Sequence, residues 1–185
     1  MSWNYVITDS VPWSHKTQTG NADEIISYFN GLGFTNEAIA GLLGNMEHES
    51  YLNPGQQEIG YNGSTSRGYG LIQWTPATNL INVIGNEWYR GDLQIQFINE
   101  EGSTSAWIPT ERFPYSWSEF SQLTDYEEAT MAYAIERERA GVSAFEARIE
   151  YADFWYQYIL DNPPTPPTPT PTKKHMPVWM MCRRF

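Results

Sequence analysis

Apolar residues recur at the spacing of one helix face along most of the chain, which predicts a mainly helical protein. The first helix is predicted over residues 21–32, with Asn21 as its N-cap and Gly33 at its end. The second is predicted to begin near Thr35 and to end before Pro54, because the residue before a proline disfavours the helical conformation. Four more helices are predicted over residues 75–85, 92–101, 125–138 and 144–160.

Three of the later helices carry start signals in the sequence. Thr75-Pro76 combines a capping side chain with a proline in the first turn. Residues 124–127 and 143–146 read Thr-x-x-Glu and Ser-x-x-Glu, which is the spacing of a capping box. We therefore expect the third helix to begin at Pro76 and the last two to begin within these boxes.

Residues 55–74 lose the helical period and contain turn-forming residues instead. Asn62-Gly63 is typical of a two-residue hairpin turn, and the apolar residues on both sides of it favour strands. The segment is therefore predicted to form a small β-hairpin. The resulting fold class is α+β, predominantly α.

The two ends of the chain differ from the helical body in pattern. Residues 1–20 have no period and are predicted to form an extended arm before a domain at residues 21–160. Residues 161–172 are rich in proline and threonine, which favours a stiff linker. Residues 173–185 are short, basic and apolar, and we interpret them as a docking peptide; an incidental tail is the alternative.

Charge and composition exclude several classes of partner and site. The formal net charge is -11, and residues 1–172 hold 7 basic and 22 acidic residues, so nucleic acid is not expected to bind. Cys182 is the only cysteine and the three histidines show no ligand spacing, so neither a metal site nor a disulfide is expected. No apolar stretch approaches the roughly 20 residues of a membrane helix, and we expect neither membrane insertion nor an export signal.

Glu49 is the first candidate for a catalytic residue. It falls at the C-terminal end of the second predicted helix, at the edge of its apolar face. Partial burial and the helix C-terminus both disfavour a charged carboxylate, so we expect the group to retain a proton. A protonated carboxyl is the general acid that glycoside cleavage requires. Glu47 borders the opposite side of the same apolar face, and periodicity alone does not choose between the two.

Two motifs carry a resemblance to a known family. Residues 38–55, in which Glu49-Ser50 and Asn53-Pro54 follow an Ala-Gly-Leu-Leu-Gly-Asn helix, resemble the phage tail lysozyme family. Residues 70–73 are similar to the Gly-Leu-x-Gln element of the more distant goose-type lysozymes and lytic transglycosylases. The resemblance covers residues 21–160 and implies a lysozyme-like fold, with the hairpin beside a central catalytic helix.

The resemblance implies a set of site residues. Glu49 matches the catalytic acid of the family, and Glu58, nine residues later, is similar in spacing to the second acid of phage-type lysozymes. Direct hydrolysis needs such a second carboxylate. The implied substrate-binding residues, of which Ser50 is the one expected to position the acid, are Ser50, Tyr69, Gln73 and Trp74. Residues 133–139 resemble a later Glu-Arg signature, and Glu136 and Arg137 are expected to form a partly buried ion pair that braces the cleft; direct substrate contact is the alternative.

The activity that the resemblance implies is that of an N-acetylmuramidase. It would hydrolyse the β-1,4 bond between MurNAc and GlcNAc in the glycan strands of bacterial peptidoglycan, without a cofactor. A lytic transglycosylase with the same glutamate is one alternative, since there the 6-hydroxyl of the substrate replaces water. A non-catalytic structural or wall-binding module of a phage tail is another.

The charge distribution bears on where such an enzyme would act. An acidic body does not concentrate unaided on an anionic cell wall, so we expect delivery by the phage particle. This predicts a virion tail component that assists DNA entry and is tethered to other tail proteins through residues 161–185. The alternative is an endolysin that acts from the host cytoplasm.

Overall fold

The computed structural model describes residues 3–104, 106–137 and 145–163, and these are predominantly helical. A short 3₁₀ turn at Gly85–Glu87 follows the third helix. The helices of the described residues are α1 (Thr19–Gly31), α2 (Asn36–Ser50), α3 (Thr78–Ile84), α4 (Gly91–Gly102), α5 (Trp117–Phe120), α6 (Tyr126–Glu136) and α7 (Phe145–Asp161).

Helix α2 lies at the centre of the body and packs mainly against α6 and α7. The predicted apolar face is fully buried and consists of Ile39, Leu42, Leu43 and Met46. Two glycines let the neighbouring helices approach closely: Gly41 faces the backbone of α6, and Gly44 faces the backbone of α7. The helix begins close to Thr35, as predicted, and Thr35 caps it by accepting a hydrogen bond from the backbone N–H of Ala38.

The first predicted helix exists, but it begins two residues earlier than the pattern indicated, at Thr19. Asn21 is therefore inside α1 and does not cap it. Its buried side chain accepts a hydrogen bond from the backbone N–H of Asn4 and donates to the carbonyl oxygens of Asn4 and Leu52. This amide joins the N-terminal arm to the body, a role that a local pattern does not reveal.

Other helix starts also differ from the prediction. The Thr75-Pro76 peptide bond is cis, and α3 begins only at Thr78. Asp125 caps α6 in place of the predicted box, because its carboxylate accepts hydrogen bonds from the backbone N–H groups at the start of the helix. The short helix α5 was not predicted, although Ser116 and Glu119 form a complete capping box before it.

The predicted β-hairpin is not formed. Residues 55–74 pair with one another only through isolated bridges, which join Gln57 to Tyr69 and Tyr69 to Trp74, and a further bridge joins Gln56 to Thr8. Buried side chains hold this segment instead. Gln94 accepts a hydrogen bond from the Leu71 N–H at 2.8 Å and donates to the Pro54 carbonyl oxygen at 2.8 Å. The segment is therefore an irregular wall cross-linked to the helices, because turn residues specify turns without requiring strands between them.

Residues 3–18 of the N-terminal arm contain no helix and lie on the body. Its Thr8 exchanges backbone hydrogen bonds with Gly55 and Gln57, and the Trp13 indole N–H donates to the Tyr51 carbonyl oxygen at 2.6 Å. The predicted linker from residue 164 onward, the docking peptide and the Ser143 cap lie outside the described residues. Within the described part, no helix is both long and apolar enough to cross a membrane.

The close approach of α2 and α7 yields a stability prediction. Replacing Gly44 by Ala should lower the free energy of unfolding by about 1–3 kcal/mol, because the added methyl group would lie 2.5 Å from the Arg148 carbonyl oxygen and 2.8 Å from the Ala152 side chain. Urea unfolding followed by circular dichroism measures the change.

The matched control is Gly31→Ala in α1, where an added methyl group has nothing within 4 Å. This variant should keep the wild-type stability or gain up to about 1 kcal/mol from helix propensity. A similar loss in both variants would show that the close contacts with α7 do not explain the effect at Gly44.

Candidate active site

A cleft of about 820 Å³ opens at the C-terminal end of α2. The irregular wall, α2 and α7 contribute to its lining, and residues of α3, α4 and the end of α6 complete it. Its charged lining consists of three carboxylates and two guanidinium groups: Glu49, Glu58, Glu101, Arg137 and Arg148. The structure thus brings both predicted acids, Glu49 and Glu58, into one cavity.

Glu49 is positioned by an ion pair across the α2–α7 contact. Its carboxylate accepts a hydrogen bond from the guanidinium of Arg148, which is itself only 3% exposed. The same guanidinium donates to the side-chain oxygen of Asn45, one turn earlier on α2, at 2.7 Å. The Glu49 side chain is 24% exposed, so it is held in place while remaining accessible from the cleft. The guanidinium places a positive charge beside the Glu49 carboxylate.

Glu47, the alternative that periodicity left open, does not line the cleft. It is fully buried on another side of α2, where its carboxylate accepts from the Lys16 backbone N–H at 2.8 Å and lies 3.0 Å from His15 Nδ1. Burial raises the pKa of Glu47, and the hydrogen bonds from the arm partly offset that increase. Glu47 therefore anchors the N-terminal arm, and Glu49 is the glutamate of this pair that faces the cavity.

Glu58 lies on the irregular wall. One carboxylate oxygen accepts from the Gly68 backbone N–H at 3.0 Å, and the other lies 3.8 Å from the Arg67 guanidinium. A third of the side chain is exposed. The group is thus oriented by a single hydrogen bond and remains open to solvent in the cleft.

Glu101 is a third carboxylate that the sequence analysis did not single out. It accepts a hydrogen bond from the Trp74 indole N–H at 2.9 Å and forms an ion pair with Arg137. Its side chain is 14% exposed, less than half the exposure of Glu58. The contacts neutralise its charge and tie α4, the wall and the end of α6 together.

The predicted substrate-binding residues divide into two groups. Gln73 and Trp74 line the cleft, although the Trp74 ring is only 3% exposed and packs against Phe97. Ser50 and Tyr69 are buried and are not among the residues that line it. The Ser50 hydroxyl lies 2.9 Å from the Leu71 carbonyl oxygen, which links α2 to the wall, and Tyr69 packs against Trp88.

The expected Glu136–Arg137 ion pair is also replaced by other contacts. Consecutive residues at a helix end point in different directions, and Arg137 reaches the cleft to pair with Glu101. Glu136 is fully buried and accepts from the Thr110 backbone N–H at 3.2 Å. Burial raises the pKa of Glu136 to about 7, and backbone hydrogen bonds limit the increase.

Arg148 could have been found in the sequence. The buried positions of α7 are Phe145, Arg148, Ala152, Trp155 and Ile159, so the arginine occupies a place in an apolar helical repeat. A buried guanidinium requires an acceptor, which points to a carboxylate or carbonyl on the facing helix. Which acceptor it meets depends on the packing of α2 against α7. No cluster of His, Cys, Asp and Glu side chains suited to a metal ion occurs in the part of the chain that the structure describes.

Comparisons with known proteins agree with the extent of the helical body. A family model described as phage tail lysozyme matches residues 20–159. A relative named Morphogenesis protein 1, from Bacillus phage B103, is 34% identical over 151 residues. The aligned region covers 79% of this chain and 41% of that protein, so the chain spans less than half of the relative's length.

The buried carboxyl of Glu136 yields a prediction on pH dependence. Between the ordinary pKa of 4.5 and the raised pKa of about 7, the folded protein holds a proton that the unfolded chain has lost. The stability contribution of Glu136 should therefore fall as the pH rises through this window. Compared with Glu136→Gln, the wild type should lose about 2 kcal/mol between pH 5 and pH 8.

Urea unfolding of both proteins at the two pH values measures this change in the free energy of unfolding. Any cost of the substitution that does not depend on pH cancels, because each protein is compared with itself. Glu146→Gln, on the exposed side of α7, is the control and should follow the wild type at both pH values. If the Glu136→Gln and wild-type stabilities changed in parallel with pH, Glu136 would not titrate in this range.

Proposed function

The chain belongs to the phage tail lysozyme family, and on that premise we propose that it is an N-acetylmuramidase that hydrolyses the MurNAc–GlcNAc β-1,4 bond of peptidoglycan. One observation carries the proposal. Glu49, which matches the catalytic acid of the family motif, is held by a buried arginine at an open cleft that also contains a second exposed carboxylate. The cleft volume of about 820 Å³ is within the range of ligand sites.

In the proposed mechanism Glu49 donates a proton to the glycosidic oxygen as the bond breaks. The loss of this proton leaves a carboxylate, and Arg148 stabilises that negative charge as it develops. The Asn45 side chain accepts a hydrogen bond from the same guanidinium and so fixes its position. The Glu49 carboxylate and the Arg148 guanidinium therefore need little reorganisation during the reaction. Arg148 thus orients Glu49 before proton transfer and stabilises its negative charge afterwards.

Glu58 is the proposed second carboxylate, in preference to Glu101. The charge of Glu101 is already neutralised by Arg137, and the Trp74 indole N–H occupies the same carboxylate oxygen. Glu58 is more exposed, and its only cation contact among the described residues is the 3.8 Å approach of Arg67. It is therefore better placed to activate water or to stabilise the positive charge of an oxocarbenium-like transition state.

The biological setting is part of the same proposal. The family description refers to phage tails, and the B103 relative is named as a morphogenesis protein. We propose a virion component that opens the host wall during DNA entry, with Gln73 and Trp74 contacting the glycan strand. Residues 161–185 are the proposed tether to other tail proteins.

Glu49→Gln should abolish glycan cleavage while the protein remains folded, because the amide keeps the shape of the side chain but has no proton to donate. We expect the turnover of purified peptidoglycan to fall by at least about 10³-fold. Release of soluble muropeptides measures activity, and circular dichroism checks the fold. Glu146→Gln, exposed on α7, should retain full activity. Turnover in Glu49→Gln above a few per cent of the wild type would refute its role as the acid.

Glu58→Gln and Glu101→Gln distinguish the two remaining carboxylates. If Glu58 acts in hydrolysis, its variant should lose at least about 10²-fold in kcat. Glu101→Gln should retain kcat to within about ten-fold, since this group contacts protein partners. The reverse order would assign the second role to Glu101.

The products identify the reaction class in the same experiment. Mass spectrometry of the muropeptides should show reducing-end MurNAc if water is the nucleophile. A 1,6-anhydro product, together with an active Glu58→Gln variant, would indicate the lytic transglycosylase reaction instead. Absence of any product from the wild-type protein would favour a structural module.

A further inference from the structure

The irregular wall presents two large apolar side chains at the edge of the cleft. Tyr61 is 43% exposed and Ile59 is 47% exposed, and both line the cavity. Among the described residues, exposed aromatic rings are uncommon, since most of the rings are packed in or against the core. An exposed ring at the mouth of a polar cleft is therefore a feature that core packing does not explain.

The ring of Tyr61 is held from one side by Arg67. The Arg67 guanidinium carbon lies 3.9 Å from the ring centroid, which is the geometry of a cation–π contact. Among the described residues no other aromatic side chain stacks on this tyrosine. Arg67 thus fixes the orientation of the ring and leaves its remaining surface available.

The same arginine connects the ring to the proposed second carboxylate. Arg67 lies 3.8 Å from Glu58, so the ring and the carboxylate share one cation. Tyr61 and Glu58 consequently belong to one preorganised group on the cleft wall.

The backbone around Tyr61 is anchored to the N-terminal arm. The Asp9 carbonyl oxygen accepts from the Gly60 N–H at 3.0 Å, and the Asp9 carboxylate accepts from the Asn62 N–H at 2.9 Å. A turn fixed on both sides of the tyrosine loses little conformational freedom when a ligand binds. The arm therefore holds the turn that carries Tyr61.

We propose that Tyr61 is a saccharide-stacking platform that binds the apolar face of a pyranose ring in a β-1,4-linked N-acetylhexosamine strand. This rests on the proposed function and adds to it a specific binding residue. The axial C–H groups of such a sugar form a flat apolar surface that matches an aromatic ring. Ile59 extends the same surface, and Arg67 keeps the ring in position from behind.

Binding and turnover of Tyr61 variants test the proposal. Binding of a soluble β-1,4-linked GlcNAc hexamer is measured by calorimetry in the Glu49→Gln background, where cleavage does not interfere. Tyr61→Ala should raise the Kd about ten-fold, and Tyr61→Phe should stay close to the parent because it keeps the ring. With Glu49 intact, Tyr61→Ala should raise KM on peptidoglycan by a similar factor and change kcat less than about two-fold.

Tyr5→Ala is the matched control. Tyr5 is 51% exposed, but it stacks on Tyr89 and does not line the cleft. Its removal should leave both Kd and KM unchanged, which separates a specific platform from a general loss of surface aromatic rings. Circular dichroism checks that each variant is folded.

The outcomes separate this inference from the proposed function. If the wild type releases muropeptides but Tyr61→Ala keeps the parent Kd and KM, the platform is wrong and the proposed function stands. Failure of the parent protein to bind the hexamer, or a loss confined to kcat, would also overturn the platform. If hexamer binding depends on Tyr61 but the wild type releases no muropeptides, the glycan site stands and the proposed hydrolysis fails.

Discussion

The buried charge of Arg148 is the constraint on which the arrangement of the site depends. A guanidinium that is 3% exposed must be neutralised and hydrogen-bonded, because an unpaired charge in the interior costs several kcal/mol. Asn45 and Glu49 on α2 each accept a hydrogen bond from it. Gly44, the residue immediately before Asn45, permits the close approach of α7. Core packing and the orientation of the candidate acid are thus consequences of one helix contact.

The opposite side of the cleft is rigid without being a sheet. Buried amide side chains replace the ladder of hydrogen bonds that strands would have formed. Gln94 joins Leu71 and Pro54 to α4. Gln56 donates to the carbonyl oxygens of Gln57 and, in the arm, Thr8. Such satisfied polar contacts keep irregular backbone in one conformation. The wall can therefore carry Glu58 and Tyr61 as fixed groups of the cleft.

The charged groups in the cleft form two sets: one makes structural contacts, and the other is accessible from the cleft. Glu101 and Arg137 neutralise each other and connect three elements, and both side chains are less than one-fifth exposed. Glu49 and Glu58 are more exposed, and within the described part of the chain each contacts one cation. In an acidic protein this pairing limits repulsion between carboxylates that share a cavity. It also leaves two of them available to a substrate.

The sequence by itself determined the helical framework, the position of Glu49 at the end of α2 and the family resemblance, because helix periodicity and a contiguous motif are local properties. Only the tertiary structure determined which charged side chains form ion pairs with each other. Arg148 lies 99 positions from Glu49, and Arg137 lies 36 positions from Glu101, so neither pairing follows from spacing. Likewise, the turn residues of the wall indicated reversals of the chain but not whether strands pair between them. Burial of Ser50 was also undetermined, because it depends on how α2 packs against that wall.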